Sequence, residues 1–278
     1  MKYKYPLLVL VFTIIIATIS CSGGEMEQKK VTYSSLKDIP DAAWEKLSHK
    51  KIYFGHQSVG FNIMDGVKDL MKEYPQIKLK IVETKDSGDI KPGVLAHSRV
   101  GKNTEPETKM DEFENVLEQG VGSKADAAAL KFCYVDMTGK TDVAKLFDDY
   151  KRRIENIRKE YPDLQIIHFT DPLTVTNKTW KTWLKQVMGK KEIWEFNDNI
   201  RRNQYNELLR KEYKGKDPIV DIAEIESTKP DGSRQSFEVD GVTYYSLYPG
   251  YTMDGGHLNE IGRKKVAEQF ILLLANLS

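Results

Sequence analysis

Two short stretches at opposite ends of the chain carry residues that could perform nucleophilic catalysis. The first, FGHQSVG, places Ser58 between an apolar run and a helical pattern. The second, DGGHLNEIG, places Asp254 and His257 three residues apart in a loop with two glycines. A serine nucleophile needs a base to take its proton and an acid to orient that base. The residue types in the two stretches therefore predict a Ser-His-Asp triad.

Both stretches also have interpretations that involve no chemistry. A serine that precedes a helix commonly caps it, because its hydroxyl accepts an N–H of the first turn. In the second stretch Asp254 could close a turn, and Asn259 is placed to cap the last helix in either case. The presence of all three triad residue types favours the nucleophile over the cap for Ser58.

Together the two stretches resemble the SGNH, or GDSL-type, hydrolase family, which has an early serine in a strand-to-helix turn. The C-terminal family motif D-x-x-H-L-N-x-x-G is matched by Asp254, His257, Leu258, Asn259 and Gly262. The resemblance covers roughly residues 50 to 275. It implies a three-layer α/β/α sandwich with a flavodoxin-like, mostly parallel sheet of five strands, and an esterase that needs no cofactor. In that family Ser58 would be the nucleophile, His257 the base and Asp254 the orienting acid.

Two of the family motifs are altered in this chain. The family commonly has G-D-S at the nucleophile, whereas His56 and Gln57 precede Ser58 here. The second motif provides a glycine N–H for the oxyanion, and Gly101 in AHSRVGKN corresponds to it. The third motif, G-x-N-D, provides an asparagine, but FCYVDMTG has Asp136 near that position. The altered third motif leaves the oxyanion hole short of one donor.

Asn103, two residues after Gly101, is the candidate to replace the missing asparagine, because a carboxylate such as Asp136 cannot donate a hydrogen bond unless it is protonated. We therefore expect the oxyanion to be held by the N–H groups of Ser58 and Gly101 and by the Asn103 side chain. His56 is a candidate substrate contact, although it could instead support the turn.

Other catalytic classes fit the spacing less well. An α/β-hydrolase elbow reads G-x-S-x-G, but the residue two positions before Ser58 is His56. The H-x-x-x-H and C-x-x-C spacings that signal zinc do not occur in the sequence, so we expect no metal. Cys133, in the apolar run ALKFCYVDM, is predicted to be a buried, inert thiol.

The N-terminus predicts export. Two lysines precede an apolar run over residues 7–20, which is shorter than the about 20 residues of a spanning helix. The run ends in TISC, which resembles a bacterial lipoprotein lipobox with Thr18 at a usually aliphatic position, and implies lipidation of Cys21. An ordinary signal peptide is the alternative. We expect a signal peptide over residues 1–20, a flexible tether over 21–33, a hydrolase domain over 34–278 and a membrane-anchored lipoprotein of the cell envelope.

Strand and helix patterns alternate from residue 41 onward, which predicts an α/β sandwich around a parallel sheet. Several apolar runs are continuous, as expected for strands buried on both faces. The candidate strands are Lys51–Phe54, Leu79–Glu83, Ala128–Val135, Gln165–Phe169 and Ile219–Ile222. The candidate helices are Ala42–Ser48, Phe61–Glu73, Thr108–Gln119, Val143–Glu160, Asp198–Tyr213 and Glu260–Asn276. The segment Ser227–Met253 predicts a hairpin that turns at Asp240-Gly241.

These features lead us to expect hydrolysis of small acyl esters, with acetyl groups on carbohydrate as the first candidate. Trp180 and Trp183 either cover the edge of the core or bind sugar rings. The 42 basic and 41 acidic residues are balanced, so nothing favours a nucleic-acid partner. The expected partners are an ester substrate and, through the lipid anchor only, a membrane. The alternatives are a carbohydrate-binding surface lipoprotein on a degenerate hydrolase fold, and an O-acetyltransferase that uses the same residues.

Overall fold

The computed structural model describes residues 32–176 and 194–277. In this part of the chain six strands form one sheet in which all neighbours are parallel. They are β1 (Ile52–His56), β2 (Lys80–Glu83), β3 (Val94–Arg99), β4 (Ala127–Leu130), β5 (Gln165–Phe169) and β6 (Ile219–Val220). Their order is β2-β3-β1-β4-β5-β6. Strands β1 and β4 are buried along their whole length, which explains their continuous apolar sequences.

Helices cover both faces of this sheet. They are α1 (Asp41–Leu47), α2 (Val59–Glu73), α3 (Pro106–Val116), α4 (Val143–Glu160), α5 (Trp194–Tyr213), α6 (Ile222–Ser227) and α7 (Glu260–Asn276). Successive side chains of β1 point to opposite faces: Ile52 and Phe54 join the core formed with α1, α2 and α7, whereas Tyr53 joins the core formed with α3, α4 and α5. The predicted three-layer α/β/α sandwich is therefore confirmed.

The sheet has one strand more than the five expected from the resemblance. The strand missed was β3, whose sequence VLAHSR ends in polar residues and so lacks a continuous apolar run. It is buried at its first five positions because it lies between β1 and β2. The predicted strand Ala128–Val135 is shorter than expected. It ends as β4 at Leu130, and Tyr134–Asp136 form a 3₁₀ turn.

The helices with the clearest apolar periodicity lie where they were predicted. Helices α4 and α7 begin and end at the expected residues, and each is capped by the side chain before it, Asp142 and Asn259 respectively. Helices α1, α2, α3 and α5 differ from the predicted bounds by up to four residues, and the short α6 was not predicted. No helix within the described ranges is both long and apolar enough to cross a bilayer.

The predicted hairpin consists of β7 (Ser236–Val239) and β8 (Val242–Tyr245), which pair antiparallel. Asp240 and Gly241 have φ values of 51° and 77°, as a two-residue turn with two positive φ angles requires. Asn203 of α5 fastens the hairpin to the domain by donating to the carbonyl of Tyr245 at 2.9 Å and accepting its N–H at 3.0 Å.

Candidate active site

The loops that follow β1, β3 and β4 meet at one edge of the sheet. From β1 the chain builds β2 and β3 on one side and then crosses to β4 on the other, so the strand order reverses at β1. In open parallel sheets, ligands bind beyond the carboxyl ends of the strands at such a reversal. Ser58 follows β1, Asn103 follows β3 and Asp136 follows β4, so the topology places these loops side by side.

Ser58 lies in the turn between β1 and α2, with φ 51° and ψ −112°. A positive φ is uncommon for a residue other than glycine, and strained backbone of this kind clusters at functional sites. The Ser58 side chain makes no capping hydrogen bond to α2. The capping interpretation is therefore wrong, and the hydroxyl is turned toward the other end of the chain.

The Ser58 hydroxyl contacts His257. Its Oγ lies 2.6 Å from Nε2 of His257, although 199 residues separate the two in sequence. Nδ1 of His257 lies 2.6 Å from Oδ2 of Asp254. Because an ionised carboxylate only accepts hydrogen bonds, Nδ1 carries the proton and Nε2 is the acceptor for the Ser58 hydroxyl. The three residues thus form a hydrogen-bonded chain in the order that a nucleophile, a base and an orienting acid require.

Asp254 is kept ionised by its own loop. Its Oδ1 accepts the N–H of Gly256 at 2.9 Å and the N–H of His257 at 2.8 Å. Partial desolvation raises the pKa of Asp254, but these bonds and the bond from the imidazole outweigh it and lower the pKa to about 2. The carboxylate therefore stays charged near neutral pH and fixes the imidazole tautomer that can take a proton from Ser58.

The histidine loop, residues 252–259, is hydrogen-bonded to α2. The N–H of Leu258 donates to Oδ1 of Asn62 in the first turn of α2 at 3.2 Å. Asn62 lies four residues after Ser58, so both side chains belong to the same region of the helix. Asn62 was not identified from the sequence, although a polar side chain one turn after Ser58 is the signal that could have found it.

Tyr134, which was likewise not identified from the sequence, lies beside the imidazole. Its ring contacts the ring of His257 edge to face at 5.6 Å, and its hydroxyl lies 3.5 Å from Nδ1. Burial, together with the charge of Asp254, raises the pKa of Tyr134, so the phenol stays protonated. The buried Arg202 holds this residue in place by donating from Nε to the Tyr134 carbonyl at 2.8 Å.

Of the two backbone N–H groups predicted to bind an oxyanion, only one lacks a hydrogen-bond partner in the described residues. The N–H of Ser58 donates no hydrogen bond to the described part of the chain, so it is free to bind an oxyanion. The N–H of Gly101 instead donates to Oε2 of Glu112 at 2.5 Å. The prediction that Gly101 supplies a free donor is therefore wrong for this structure, because a carboxylate from α3 occupies that N–H.

Asp136, at the position of the family asparagine, accepts hydrogen bonds as anticipated. It is buried, and its carboxylate accepts from Lys109 at 2.5 Å, from the N–H of Cys133 at 2.6 Å and from the N–H of Thr104 at 2.9 Å. Asn103 lies on the exposed side of the same network, where its Oδ1 accepts from Lys109 Nζ at 3.0 Å. Asp136 and Asn103 are the two residues that could stand in for the family asparagine. Only Asn103 has a side-chain N–H that could donate to an anion.

His56 is fully buried and does not reach the surface of the site. Its Nε2 lies 3.0 Å from Nδ1 of His97, and the two rings stack. Burial, and to a lesser degree nearby positive charges, lowers the pKa of His56 to about 2, so the imidazole is neutral. A Cβ on Gly60 would lie 2.3 Å from this ring, so the glycine in α2 makes room for it. His56 supports the turn, and the prediction of a substrate contact is wrong.

Three residues singled out from the sequence lie outside the described residues: Trp180, Trp183 and Cys21. Their roles in substrate binding and lipidation stay predictions. Within residues 32–176 and 194–277, no group of three or more His, Cys, Asp or Glu side chains is arranged to hold a metal ion.

No protein-family model and no curated protein matches the chain. Solved structures with a similar course of the chain include a GDSL-like lipase from Bacteroides thetaiotaomicron, with 14% identity, 84% and 91% of the two chains covered and a TM-score of 0.43. A lipase/acylhydrolase from Enterococcus faecalis has 13% identity, coverage of 80% and 93% and a TM-score of 0.43. The periplasmic domain of a lipopolysaccharide acetyltransferase from Salmonella ser. Paratyphi A has 12% identity, coverage of 79% and 81% and a TM-score of 0.44. Likeness this distant identifies neither substrate nor reaction.

Proposed function

We propose that this chain, which has the fold of the SGNH hydrolases, is a serine esterase that hydrolyses small acyl esters. The observation that carries the proposal is the pair of 2.6 Å contacts that link Ser58 to His257 and His257 to Asp254. A serine that only capped α2 would neither point away from the helix nor hold a positive φ. The strained turn and the hydrogen-bonded chain are together the arrangement of an activated nucleophile.

The chemistry follows from the positions of these atoms. Ser58 Oγ attacks the ester carbonyl while Nε2 of His257 takes its proton, and the carbonyl oxygen becomes an oxyanion. Collapse of this intermediate breaks the bond to the leaving alcohol, which receives the proton from Nε2. A water molecule then attacks the acyl-serine, gives its proton to Nε2 and releases the acid, and the proton returns to Ser58. Asp254 stabilises the imidazolium that forms in each half-reaction.

The proposal assigns the oxyanion to two donors. The N–H of Ser58 makes no hydrogen bond within the described residues, and it lies at the start of α2, where the helix dipole favours negative charge. The side chain of Asn103 is the second donor in this proposal. Removal of one such donor from a hydrolase lowers the rate about 10²–10³-fold, so both contributions are large enough to measure.

The acyl group that we propose is acetyl, carried on a carbohydrate of the cell envelope. This part of the proposal is supported by the N-terminal sequence, which predicts export, and by Trp180 and Trp183, whose ring faces could bind sugars. Rates on p-nitrophenyl acetate, butyrate and octanoate test the acyl length, and acetate release from acetylated oligosaccharides tests the alcohol. A preference for octanoate would contradict the acetyl assignment.

We also propose that the protein is anchored to a membrane through lipid on Cys21. The expected result is incorporation of an alkyne-labelled fatty acid into the wild type and none into Cys21→Ala. Equal labelling of both proteins would exclude Cys21 as the lipid attachment site.

The experiment that tests the esterase measures acetate release by the purified protein, with Ser58→Ala, His257→Ala and the exposed Ser34→Ala as the matched control. We expect losses of at least about 10³-fold for the first two variants, as for other triads, and none for the control. Wild type that is no faster than Ser58→Ala would contradict the proposal. Acetyl transfer to an added sugar that exceeds release to water would replace hydrolysis with O-acetyl transfer.

A further inference from the structure

A buried ion pair lies behind the proposed oxyanion hole. Lys109 of α3 and Asp136 are both fully removed from solvent, and their Nζ and Oδ2 atoms are 2.5 Å apart. Two ions are costly to bury, and the cost is offset only when further hydrogen bonds satisfy them. Asp136 meets this condition, because it also accepts the N–H groups of Cys133 and Thr104. The pair therefore joins the loop after β3 to the loop after β4.

Lys109 also determines which way the Asn103 amide faces. Its Nζ donates to Oδ1 of Asn103 at 3.0 Å. An ammonium group only donates, so the amide oxygen must face Lys109 and the NH₂ group must face away from it. Asn103 is exposed, and its Nδ2 donates to no acceptor in the described part of the chain. The result is an oriented donor at the surface whose direction is fixed by a buried charge.

The Asn103 loop is fastened to the nucleophile turn by a separate set of contacts. Gln57, next to Ser58, donates from Nε2 to the carbonyl of Val100 at 3.0 Å and also to the carbonyl of Gly101. The thiol of Cys133 contacts the Gln57 carbonyl at 3.4 Å. The loops after β1, β3 and β4 are thus connected pairwise, with Ser58 and Asn103 on the same network.

From this geometry we propose that Lys109 and Asp136 are positioning residues that aim the amide NH₂ of Asn103 at the oxyanion. The inference rests on the proposed esterase and deepens it. Asn103 is the residue that touches the reacting atoms, and the ion pair acts through it. Glu112 contributes indirectly, because it occupies the N–H of Gly101 and so removes the other candidate donor on this loop.

The first test compares Asn103→Ala and Asn103→Gln with the wild type, and uses Asn156→Ala, an exposed asparagine on α4, as the matched control. We expect kcat to fall about 10²-fold in Asn103→Ala, with KM changed less than about threefold. Asn103→Gln keeps the amide but displaces it by one methylene, so an aimed donor predicts a loss close to that of Asn103→Ala. Wild-type kcat in either Asn103 variant would overturn the inference.

The second test removes both charges at once in Lys109→Met/Asp136→Ala, so that neither charge is left buried without a partner and no new amide donor is placed at position 136. We expect a loss of kcat near that of Asn103→Ala, and no further loss when the two changes are added to Asn103→Ala. An equal loss in both backgrounds would overturn the positioning role, because the pair would then act without Asn103. Should the double variant fail to fold, Lys109→Arg, which keeps the positive charge but displaces the donor from Asn103, is compared with the wild type and in the Asn103→Ala background in the same way, and a loss that is equal in both backgrounds again overturns the positioning role.

Ser58→Ala separates failure of this inference from failure of the proposed function. Wild type that is no faster than Ser58→Ala would overturn the esterase and this inference together. An active wild type with unchanged kcat in Asn103→Ala would overturn the inference and leave the esterase standing.

Discussion

At the scale of single residues, one carboxylate decides whether His257 can act as a base. Oδ2 of Asp254 contacts Nδ1, so the free lone pair of the imidazole lies on Nε2, next to Ser58. An asparagine at position 254 can present its NH₂ to Nδ1, which favours the opposite tautomer with the proton on Nε2. That tautomer cannot accept the proton of the serine hydroxyl.

We therefore expect Asp254→Asn to lower kcat by about 10³–10⁴-fold, as the loss of the correct tautomer does in other triads, with little effect on folding. Asp163→Asn, an exposed aspartate at the opposite edge of the sheet, is the matched control. The measurement is kcat and KM on an acetyl ester near neutral pH. A loss of less than about tenfold in Asp254→Asn would show that the carboxylate does not set the tautomer.

The lowered pKa of Asp254 also makes the stability of the folded protein depend on pH. The pKa of about 2 in the folded protein lies below the ordinary carboxyl pKa of 3.8, so the hydrogen bonds stabilise the native state above pH 3.8 and this stabilisation is lost as pH falls toward 2. The side chain is about half exposed, at 55%, so the effect is small. Any loss of activity between pH 5 and 8 must therefore come from a group other than Asp254.

At the scale of elements, the distance in space between Ser58 and His257 depends on how α2 and α7 pack against each other. Ser58 directly precedes α2, and His257 lies three residues before α7. The helices approach closely at Gly66, where a Cβ would lie 2.5 Å from the carbonyl oxygen of Arg263. Arg263 in turn pairs with Asp69 of α2 at 2.6 Å. The spacing of these helices is therefore set by backbone contact and an ion pair.

We expect Gly66→Ala to push α7 away from α2 and to weaken both stability and catalysis. Alanine has the better helix propensity by about 1 kcal/mol, but overpacking against a backbone atom costs about 1–3 kcal/mol. The net change should be destabilising by urea unfolding, and kcat should fall more than in Lys68→Ala, an exposed change on the same helix. A stable variant with wild-type kcat would show that this contact does not position His257.

Much of the fold could be predicted from the sequence, because helices such as α4 and α7 have both a periodic apolar face and a capping residue. Strand β3 was missed for the opposite reason. Its His97, Ser98 and Arg99 break the apolar run, and its burial depends on lying between two other strands. Such burial is a tertiary effect that a local pattern does not contain.

The residues of the candidate site likewise include some that the sequence could predict and some that it could not. Ser58, His257 and Asp254 could be found because their types and spacing form a motif. The hydrogen bond from the Gly101 N–H to Glu112 could not be predicted, because the carboxylate belongs to a different element and lies eleven residues later in the sequence. The burial of His56 against His97 likewise depends on the pairing of β1 with β3.

At the scale of the whole molecule, the buried interior contains a carboxyl group that makes no side-chain hydrogen bond within the described residues. Asp171, which follows β5, is buried, and neither of its carboxylate oxygens has a hydrogen-bond partner in the described residues. Burial raises the pKa of Asp171 to about 7, against the opposing charge of Arg202. In the unfolded chain the same group titrates near 3.8.

This difference predicts a pH-dependent stability. Between about pH 4 and pH 7 the native state binds more protons than the unfolded state, so the free energy of unfolding falls as pH rises through this window and levels off above it. At 1.36 kcal/mol per pKa unit, the upper limit is about 4 kcal/mol. Asp171→Asn is neutral at every pH and removes this contribution.

We therefore expect urea midpoints at pH 4.5 and pH 8 to differ more in the wild type and in the control Asp163→Asn than in Asp171→Asn. Equal pH dependence in all three proteins would contradict this prediction. Asp171 would then be ionised in the folded state near neutral pH, with its charge stabilised by Arg202 and the other buried cations.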